Sequence, residues 1–239
     1  IGELMCNFND MAEKISYLIK EQYRIGQEAK NSELMALQSQ INPHFLYNTM
    51  DLISWIAINN NVPEIASIVK SLSKFYKLSL NKGANIVPIR DEIEHVKLYV
   101  DLQNRRFNNN ITLQIEAEEE IYNYTIPKII LQPIVENSIM HGIFKRKDKK
   151  GIIKLTGRLQ NGCIVFIIYD NGIGMSKEKL SQILSDSKSE SLNGYGIKNI
   201  NERIKINYGE EYGMIYNSVI NEGTTVTITI PAIKDNFEK

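Results

Sequence analysis

The sequence contains little cysteine and no long apolar run, and these two absences exclude several classes of protein. Cys6 and Cys163 lie far apart, without a CxxC pair or a histidine-rich partner, which fits a reducing compartment and gives no metal site. No apolar run approaches the roughly twenty residues of a membrane span, and no signal peptide is visible. We therefore expect no membrane-spanning helix within these residues.

The sequence also has no excess of positive or negative charge. Lysine plus arginine and aspartate plus glutamate number 28 each, so no overall field favours nucleic acid or acidic lipid, and we expect no nucleic-acid binding. The chain does have 43% apolar residues in a length of 239, which is enough for the cores of an ordinary globular protein. This length favours two domains.

The first half of the chain has helical periodicity. Apolar residues from Ile1 to Leu18 recur at spacings of three and four, which predicts a coiled-coil seam. Pro63, after the turn at Asn59–Asn61, opens a second amphipathic segment, so we expect an antiparallel helical hairpin. A hairpin alone buries too little surface, so two copies should pair into a four-helix bundle. A third helix is predicted from Ile89 to Arg106.

From Ile111 the pattern changes to the alternation typical of strands, which predicts helices layered on one face of a mixed sheet. The polar stretch from Ser185 to Asn193 lacks apolar anchors and is predicted to be a mobile lid. The other predicted elements are helices at about Pro127–His141, Lys177–Leu184 and Ile197–Asn207, and strands at Ile152–Arg158, Cys163–Tyr169, Met214–Val219 and Thr224–Ile230.

One histidine stands inside the helical pattern of the first half. In a helix, His44 shares a face with Gln40 and Asn48, and Pro43 kinks the helix beside it. In the alternative reading, Asn42 caps and Pro43 opens a new helix, with His44 as an ordinary first-turn residue. This stretch by itself leaves both readings open.

Two glycine motifs lie at the ends of predicted elements, one after a strand and one before a helix, where the backbone can contact a ligand. The stretch Asp170–Met175 follows a buried-looking strand, and Gly172 and Gly174 let the backbone approach a flat or phosphorylated ligand. The stretch Asn193–Gly196 precedes the predicted helix start at Ile197, where free amides and a positive dipole end favour phosphate.

A third motif places oxygen atoms in an apolar helix. Glu136 and Asn137, with His141 one turn on, offer the oxygens that a hard cation prefers, and Mg²⁺ needs few protein ligands when phosphates supply the rest. The alternative for Asn137 is a core amide satisfied by backbone. Each of the three motifs alone is weak evidence of a ligand-binding site, and their occurrence in this order makes the combined evidence strong.

Together these motifs resemble the boxes of a sensor histidine kinase of two-component systems, in its LytS/YesM-like branch. The resemblance implies an α+β fold, with a dimeric helical hairpin followed by a two-layer α/β sandwich of the Bergerat (GHKL) type, related to gyrase and Hsp90. We expect a HAMP-like coiled-coil end at 1–30, dimerisation and histidine phosphotransfer helices at 31–108 and a catalytic ATP-binding domain at 109–239. The matching stretches are Gln40–Asn48, Glu136–Gly142, Asp170–Gly174, Gly194–Asn199 and Gly223–Thr225.

The resemblance also implies roles for single residues. His44 is similar to the phosphorylated histidine, with Asn48 and Gln40 as candidates to hold the proton of its other ring nitrogen. Asn137 is similar to the magnesium-binding asparagine, and Asp170 to the carboxylate that accepts from the adenine amino group. The other expected nucleotide-site residues are His141, Gly172, Gly174, Gly194, Gly196, Lys198, Asn199, and Thr224 or Thr225.

Three positions depart from the pattern of the wider kinase family, and one of them is Pro133, which occupies the first asparagine position of the wider motif. Phe45 stands where many members have an acidic residue, so the base near His44 is unassigned. Met140 stands where a basic residue often meets the phosphates, so charge neutralisation is expected from Lys198, Arg203 or the basic loop at 145–150.

The implied function is autophosphorylation with ATP and Mg²⁺, followed by transfer to the receiver domain of a response regulator, and it allows phosphatase activity toward that regulator. An upstream transmembrane sensor is expected, which would hold the chain on the cytoplasmic side of the cell membrane. The alternatives are a dimeric scaffold without catalysis and a gyrase-type ATPase, for which Glu136 is the nearest general base. His95 is expected at the surface and His141 in the nucleotide pocket.

Overall fold

The computed structural model describes residues 14, 21, 22, 43–80, 84–107, 110–184 and 192–234, with only the backbone at 182–184 and 192–198. The chain divides into two compact units, Ile1–Thr49 and Met50–Lys239. The predicted seam from Ile1 to Leu18, Gln40 and the lid residues 185–191 lie outside the described part. Within that part, no helix has both the length and the apolar character needed to cross a membrane.

Two helices joined by a tight turn follow the predicted pattern of the first half. Helix α1 covers Pro43–Asn59 and helix α2 covers Pro63–Leu80. Asn61 has a positive φ of 56°, which asparagine adopts more easily than most residues, and it reverses the chain between the helices. Pro63 then begins α2. A backbone N–H at the first position of a helix has no partner within the helix, so proline forfeits no hydrogen bond there.

A five-stranded mixed sheet forms the second half, in the order β2-β4-β5-β7-β6. Only the β2–β4 pair of this sheet is parallel. A separate antiparallel pair joins β1 and β3. The strands are β1 Ile86–Pro88, β2 Ile111–Ala117, β3 Thr125–Pro127, β4 Gly151–Gln160, β5 Cys163–Asp170, β6 Gly213–Val219 and β7 Gly223–Pro231. The later helices are α3 Ile89–Arg106, α4 Leu131–Asn137, α5 Lys177–Leu184 and α6 Leu192–Tyr208.

Burial alternates along β5 as expected for a sheet covered on one face. Phe166 and Ile168 are at most 1% exposed, whereas Ile167 and Tyr169 are each 38% exposed. Because successive side chains point to opposite faces, one face of the sheet lies in the core and the other faces solvent. The predicted α+β class, with helices followed by a mixed sheet, is confirmed.

Helix α3 packs into the core of the sheet. Its residues Ile89, Ile93 and Val96 are at most 1% exposed and belong to the same apolar cluster as Phe166. The sequence pattern groups this helix with the hairpin, and α3 does contact α2, but its apolar face belongs to the sheet. The reason is that an amphipathic helix must bury its apolar face, and the sheet offers the larger apolar surface.

The predicted surface position of His95 on α3 is wrong. The imidazole is 2% exposed, its Nε2 lies 2.7 Å from Ser79 Oγ, and its ring stacks on Phe75 at 4.3 Å between centroids. Helix α2 covers this side of α3, and burial there lowers the pKa of His95 to about 4.

Two helices start at other residues than the sequence pattern predicts. Helix α4 begins at Leu131, not near Pro127, because β3 ends at Pro127 and Ile129 turns the chain with a φ of 57°. Helix α6 begins at Leu192, not at Ile197, so Gly194 and Gly196 lie inside its first turns. The glycines therefore do not precede the helix as predicted.

Candidate functional site

A cavity of about 670 Å³, including open space at its mouth, lies between α4, the sheet and the segment before α5. Ile134 and Asp170 are at most 2% exposed, whereas His141 and Lys179 are exposed. The cavity therefore has an apolar deep end that contains one carboxylate, and a polar mouth.

Helix α4 and the turn after it supply one wall of the cavity. Ile134, Asn137, Ser138 and His141 line the space together. Spacings of three and four place these residues on one face, and a single π turn at Ser138–Gly142 continues that face past the end of α4. The opposite face of the helix packs into the core.

Asp170, the last residue of β5, is the carboxylate at the deep end. Its Oδ1 accepts the N–H of Gly172 at 2.9 Å, and the side chain of Ser138 and the backbone of Thr224 also donate to it. Burial raises the pKa of Asp170, and these three donors oppose that shift. The carboxylate is thus held rigidly from three sides.

Gly172 lies behind Asp170, where the chain has no room for a side chain. A Cβ at this position would lie 2.5 Å from the backbone of Gly142 and 2.7 Å from Asp170 Oδ1. Gly174 has a φ of +63°, and a Cβ there would collide with the carbonyl of Val219. Gly174 lines the cavity, whereas Gly172 supports Asp170 from behind.

The two threonines that the sequence left open lie on opposite faces of β7. Thr224 pairs with Asp170 across the sheet and lines the cavity, and its hydroxyl lies 2.9 Å from that of Ser218. Thr225 is the next residue and therefore points to the other face. The position of Thr225 does not support a role in this cavity.

The remaining predicted residues at the phosphate end are less well placed. Asn199 is exposed on α6 and does not line the cavity, and the side chain of Lys198 lies outside the described part. Arg203, the alternative cation, donates to the carbonyl of Lys128. Arg146 of the basic loop pairs with Asp148 at 3.1 Å. Lys179 of α5, which the sequence analysis did not single out, does line the cavity.

Glu136, the residue that a gyrase-type ATPase would need, is held away from the cavity. Its Oε2 accepts from Gln132 at 2.9 Å, and its charge acts on the phenol of Tyr99. Adjacent residues on a helix point about 100° apart, so Asn137 can face the cavity while Glu136 does not.

The sequence analysis assigned no role to Ser138, Tyr216 or Glu92. Tyr216 lines the cavity from β6. Glu92 on α3 accepts the backbone N–H groups at the start of α4. A signal for Glu92 existed, because it lies three residues after Ile89 and four before Val96, on the apolar face of its helix. Nothing in the local pattern of β6 distinguished Tyr216 from a core residue.

His44 lies in the other unit of the chain, in the first turn of α1 as described. Its Nδ1 is 3.3 Å from the side-chain amide nitrogen of Asn48, so the two residues are in contact, with the donor side of the amide facing the ring. The role of Asn48 as the holder of a ring proton stays a prediction. Phe45 is 70% exposed, and its carbonyl accepts the hydroxyl of Thr49 at 2.8 Å. Gln40, the other candidate partner, lies outside the described residues.

Two family models match the sequence. One, described as histidine kinase, matches residues 32–111, and one, described as histidine kinase-, DNA gyrase B- and HSP90-like ATPase, matches residues 124–234. Among solved structures, the histidine kinase domain from the Erythrobacter litoralis EL346 blue-light activated histidine kinase aligns with 80% of this chain and 94% of that chain, with a TM-score of 0.46 and 12% identity.

Curated relatives match nearly the whole chain. Sensor histidine kinase YesM of Bacillus subtilis is 34% identical over 96% of this chain and 38% of that protein. Sensor protein LytS of Bacillus anthracis is 30% identical over 93% of this chain and 39% of that protein. Sensor protein kinase HptS of Staphylococcus aureus is 30% identical over 96% of this chain and 44% of that protein. The chain therefore spans about two fifths of the length of these relatives. The resemblance drawn from the motifs is confirmed, and the chain belongs to the sensor histidine kinase family.

Proposed function

We propose that this chain is the phospho-accepting and catalytic part of a sensor histidine kinase, which uses Mg-ATP to phosphorylate His44 and passes the phosphoryl group to an aspartate of a response regulator. The observation that carries the proposal is the buried carboxylate of Asp170 at the deep end of an apolar cavity. Adenine carries a 6-amino donor on an apolar ring, so such a cavity suits it, while the triphosphate extends toward the open mouth.

The residues at the mouth fit the phosphate end of ATP. Asn137 offers a carboxamide oxygen that would hold Mg²⁺, and the ammonium of Lys179 lies on the water-exposed side. Phosphoryl transfer requires mainly alignment and neutralisation of phosphate charge, which Mg²⁺ supplies when it is bound. Lys179 thereby replaces the engaged Arg203 as our candidate for the second cation.

The nucleophile of this reaction is a ring nitrogen of His44. In the proposed step Nε2 forms a bond to the γ-phosphorus, the bond from phosphorus to the bridging oxygen breaks, and ADP leaves. This requires a proton on Nδ1. In the structure the amide nitrogen of Asn48 faces Nδ1, so Asn48 would hold that proton only after its amide turns to present Oδ1 to the ring. The same pairing keeps the imidazole in one orientation.

The proposal includes a homodimer built on α1 and α2, on the cytoplasmic side of a membrane. Its support is the apolar surface of α1, where Leu52 is 55%, Trp55 61% and Ile58 61% exposed. Burial of such residues is the main driving force of association, and two hairpins can form a four-helix bundle.

The test is incorporation of label from [γ-³²P]ATP with Mg²⁺. The chain should retain the label as a phosphoramidate that is labile to acid and stable to alkali, because protonation of the P–N nitrogen makes imidazole a good leaving group. His44→Gln should lose the label, while His95→Phe, which changes a histidine buried under α2, should keep it.

The competing functions give different results in the same assay. A gyrase-type ATPase would release phosphate into solution and would survive His44→Gln, and a scaffold would neither release phosphate nor take up label. Label that persists in His44→Gln would refute the assignment of the acceptor. The position of Glu136, bonded to Gln132 and outside the cavity lining, favours the kinase over the ATPase.

A further inference from the structure

Tyr216 is a buried phenol in the wall of the cavity. It lies on β6, is 8% exposed and pairs with Val226 of β7 across the sheet. Both side chains line the cavity together with Asp170. The phenol therefore belongs to the deep end, where we place the purine.

The hydroxyl of Tyr216 has no hydrogen-bond partner among the described residues. Two other buried polar atoms share this condition, Gln103 Oε1 and the hydroxyl of Tyr208, but neither residue lines the cavity. A buried hydroxyl without a partner is costly, and native proteins normally satisfy it. Because Tyr216 lines the cavity, a ligand bound there can supply the partner that this buried hydroxyl lacks.

The sheet register fixes where Tyr216 stands relative to Asp170. Asp170, Thr224 and Ser218 form one row across three strands, and Tyr216 with Val226 lies in the next row on the same face. The spacing of strands and the rise per residue put the Cα atoms of Asp170 and Tyr216 roughly 12 Å apart. Two inward-pointing side chains and a purine ring between them fill such a gap.

We propose that Tyr216 is a second purine-reading residue, whose hydroxyl donates a hydrogen bond to a ring nitrogen of the adenine that donates its amino group to Asp170. The inference rests on the proposed function, because it requires ATP in this cavity. Adenine presents a ring-nitrogen acceptor next to its amino donor, so one acceptor and one donor on the protein match it. Guanine carries an oxygen where adenine has the amino group, which would face the carboxylate of Asp170 unfavourably.

The chemistry of the phenol suits this role. Burial raises the pKa of Tyr216, so the hydroxyl keeps its proton and can donate at neutral pH. Phenylalanine at this position keeps the ring and its packing and removes only the hydroxyl. A matched control exists in Tyr208, whose hydroxyl is equally buried and unpaired but belongs to a residue outside the cavity lining.

The test is calorimetric titration of the whole chain with ATP and with 1-deaza-, 3-deaza- and 7-deaza-ATP, each of which lacks one ring nitrogen. Tyr216→Phe should weaken ATP binding about fivefold to tenfold without lowering the thermal midpoint of the ligand-free chain, and Tyr208→Phe should leave ATP affinity unchanged. One of the three analogues should bind the wild-type chain with the same reduced affinity that ATP has for Tyr216→Phe. The affinity of that analogue should not decrease further in Tyr216→Phe. This non-additivity is a result that a purely structural role would not produce.

Two results would overturn the inference while the proposed function stands. The first is wild-type ATP affinity in Tyr216→Phe, and the second is an equal loss for every analogue in both backgrounds, provided that Asp170→Asn weakens ATP binding. If the wild-type chain does not bind ATP, or Asp170→Asn binds it unchanged, the pocket assignment fails and the inference fails with it.

Discussion

The carboxylate of Glu92 holds the start of the pocket helix at Leu131. Its Oε2 accepts the N–H of Leu131 at 3.2 Å and that of Ile130 at 3.0 Å, and the N–H of Ile129 donates to Oε1. The first N–H groups of a helix have no partner within the helix, and a carboxylate there also interacts favourably with the helix dipole. Glu92, a buried residue of α3, thus sets where α4 begins. It thereby also sets where Asn137, at the end of α4, reaches the cavity.

We expect Glu92→Gln to destabilise the fold by about 2 to 4 kcal/mol, because the amide cannot accept three N–H donors and leaves buried donors unpaired. Urea unfolding followed by circular dichroism measures this change. The exposed Glu120→Gln serves as the control, and its effect should stay within about 0.5 kcal/mol. Equal stabilities of the two variants would show that Glu92 does not hold the helix start.

The buried His95 predicts loss of stability in acid. Its pKa is about 4 in the folded chain, below its value of 6.5 when unfolded, so the unfolded chain binds the proton first as the pH falls. Stability should therefore be complete above pH 6.5 and decrease by up to about 3 kcal/mol as the pH falls toward 4. Urea unfolding at pH 7 and pH 5 measures the slope.

Substitution of this histidine provides the matched variant for the prediction. His95→Phe should flatten the slope between pH 7 and pH 5, and its ring can still stack on Phe75. Glu92 and Asp170 have raised pKa values that act in the opposite direction, but both remain in every variant, so the difference in slope reports His95 alone.

The two ends of the cavity should respond differently to substitution. Asp170→Asn should weaken binding of a non-hydrolysable ATP analogue by about tenfold to a hundredfold, since it loses a charge-assisted hydrogen bond to the base. Asn137→Ala should abolish phosphorylation of His44 while the chain stays folded, because Asn137 would contribute to Mg²⁺ binding. Calorimetry and circular dichroism measure these effects. Unchanged nucleotide affinity in Asp170→Asn would contradict the assignment of the deep end.

The apolar surface of α1 predicts association of two chains. Light scattering of this chain should give the mass of a dimer, and Trp55→Glu, which puts a charge on that surface, should shift it toward the monomer. Ile215→Glu, on the open face of the sheet, is a control at a comparably exposed apolar position and should leave the mass unchanged. A monomeric wild-type chain at micromolar concentration would rule out the four-helix bundle.

The sequence by itself determined the order of the helices and of the five strands of the main sheet, the glycines at Gly172 and Gly174, and the identity of Asp170 and Asn137 as candidate ligands. It did not predict the short strands β1 and β3. The elements and the glycines are local features, because each depends on periodicity or on the conformational demands of a short stretch. Asp170 and Asn137 were identified by the resemblance of their motifs to those of the kinase family. The tertiary structure alone decided which threonine faces the cavity, because Thr224 and Thr225 differ only in the face of the strand that they occupy.

Contacts between distant segments settled the remaining questions. His95 is buried because α2 covers it, and Glu92 meets α4 across about forty residues of sequence. Arg203 lies outside the cavity lining and donates to the carbonyl of Lys128. Tyr216 resembles an ordinary strand residue until β6 is aligned with β7 and places its phenol beside the deep end of the cavity. Such burial and pairing depend on long-range packing, which no local pattern in the sequence specifies.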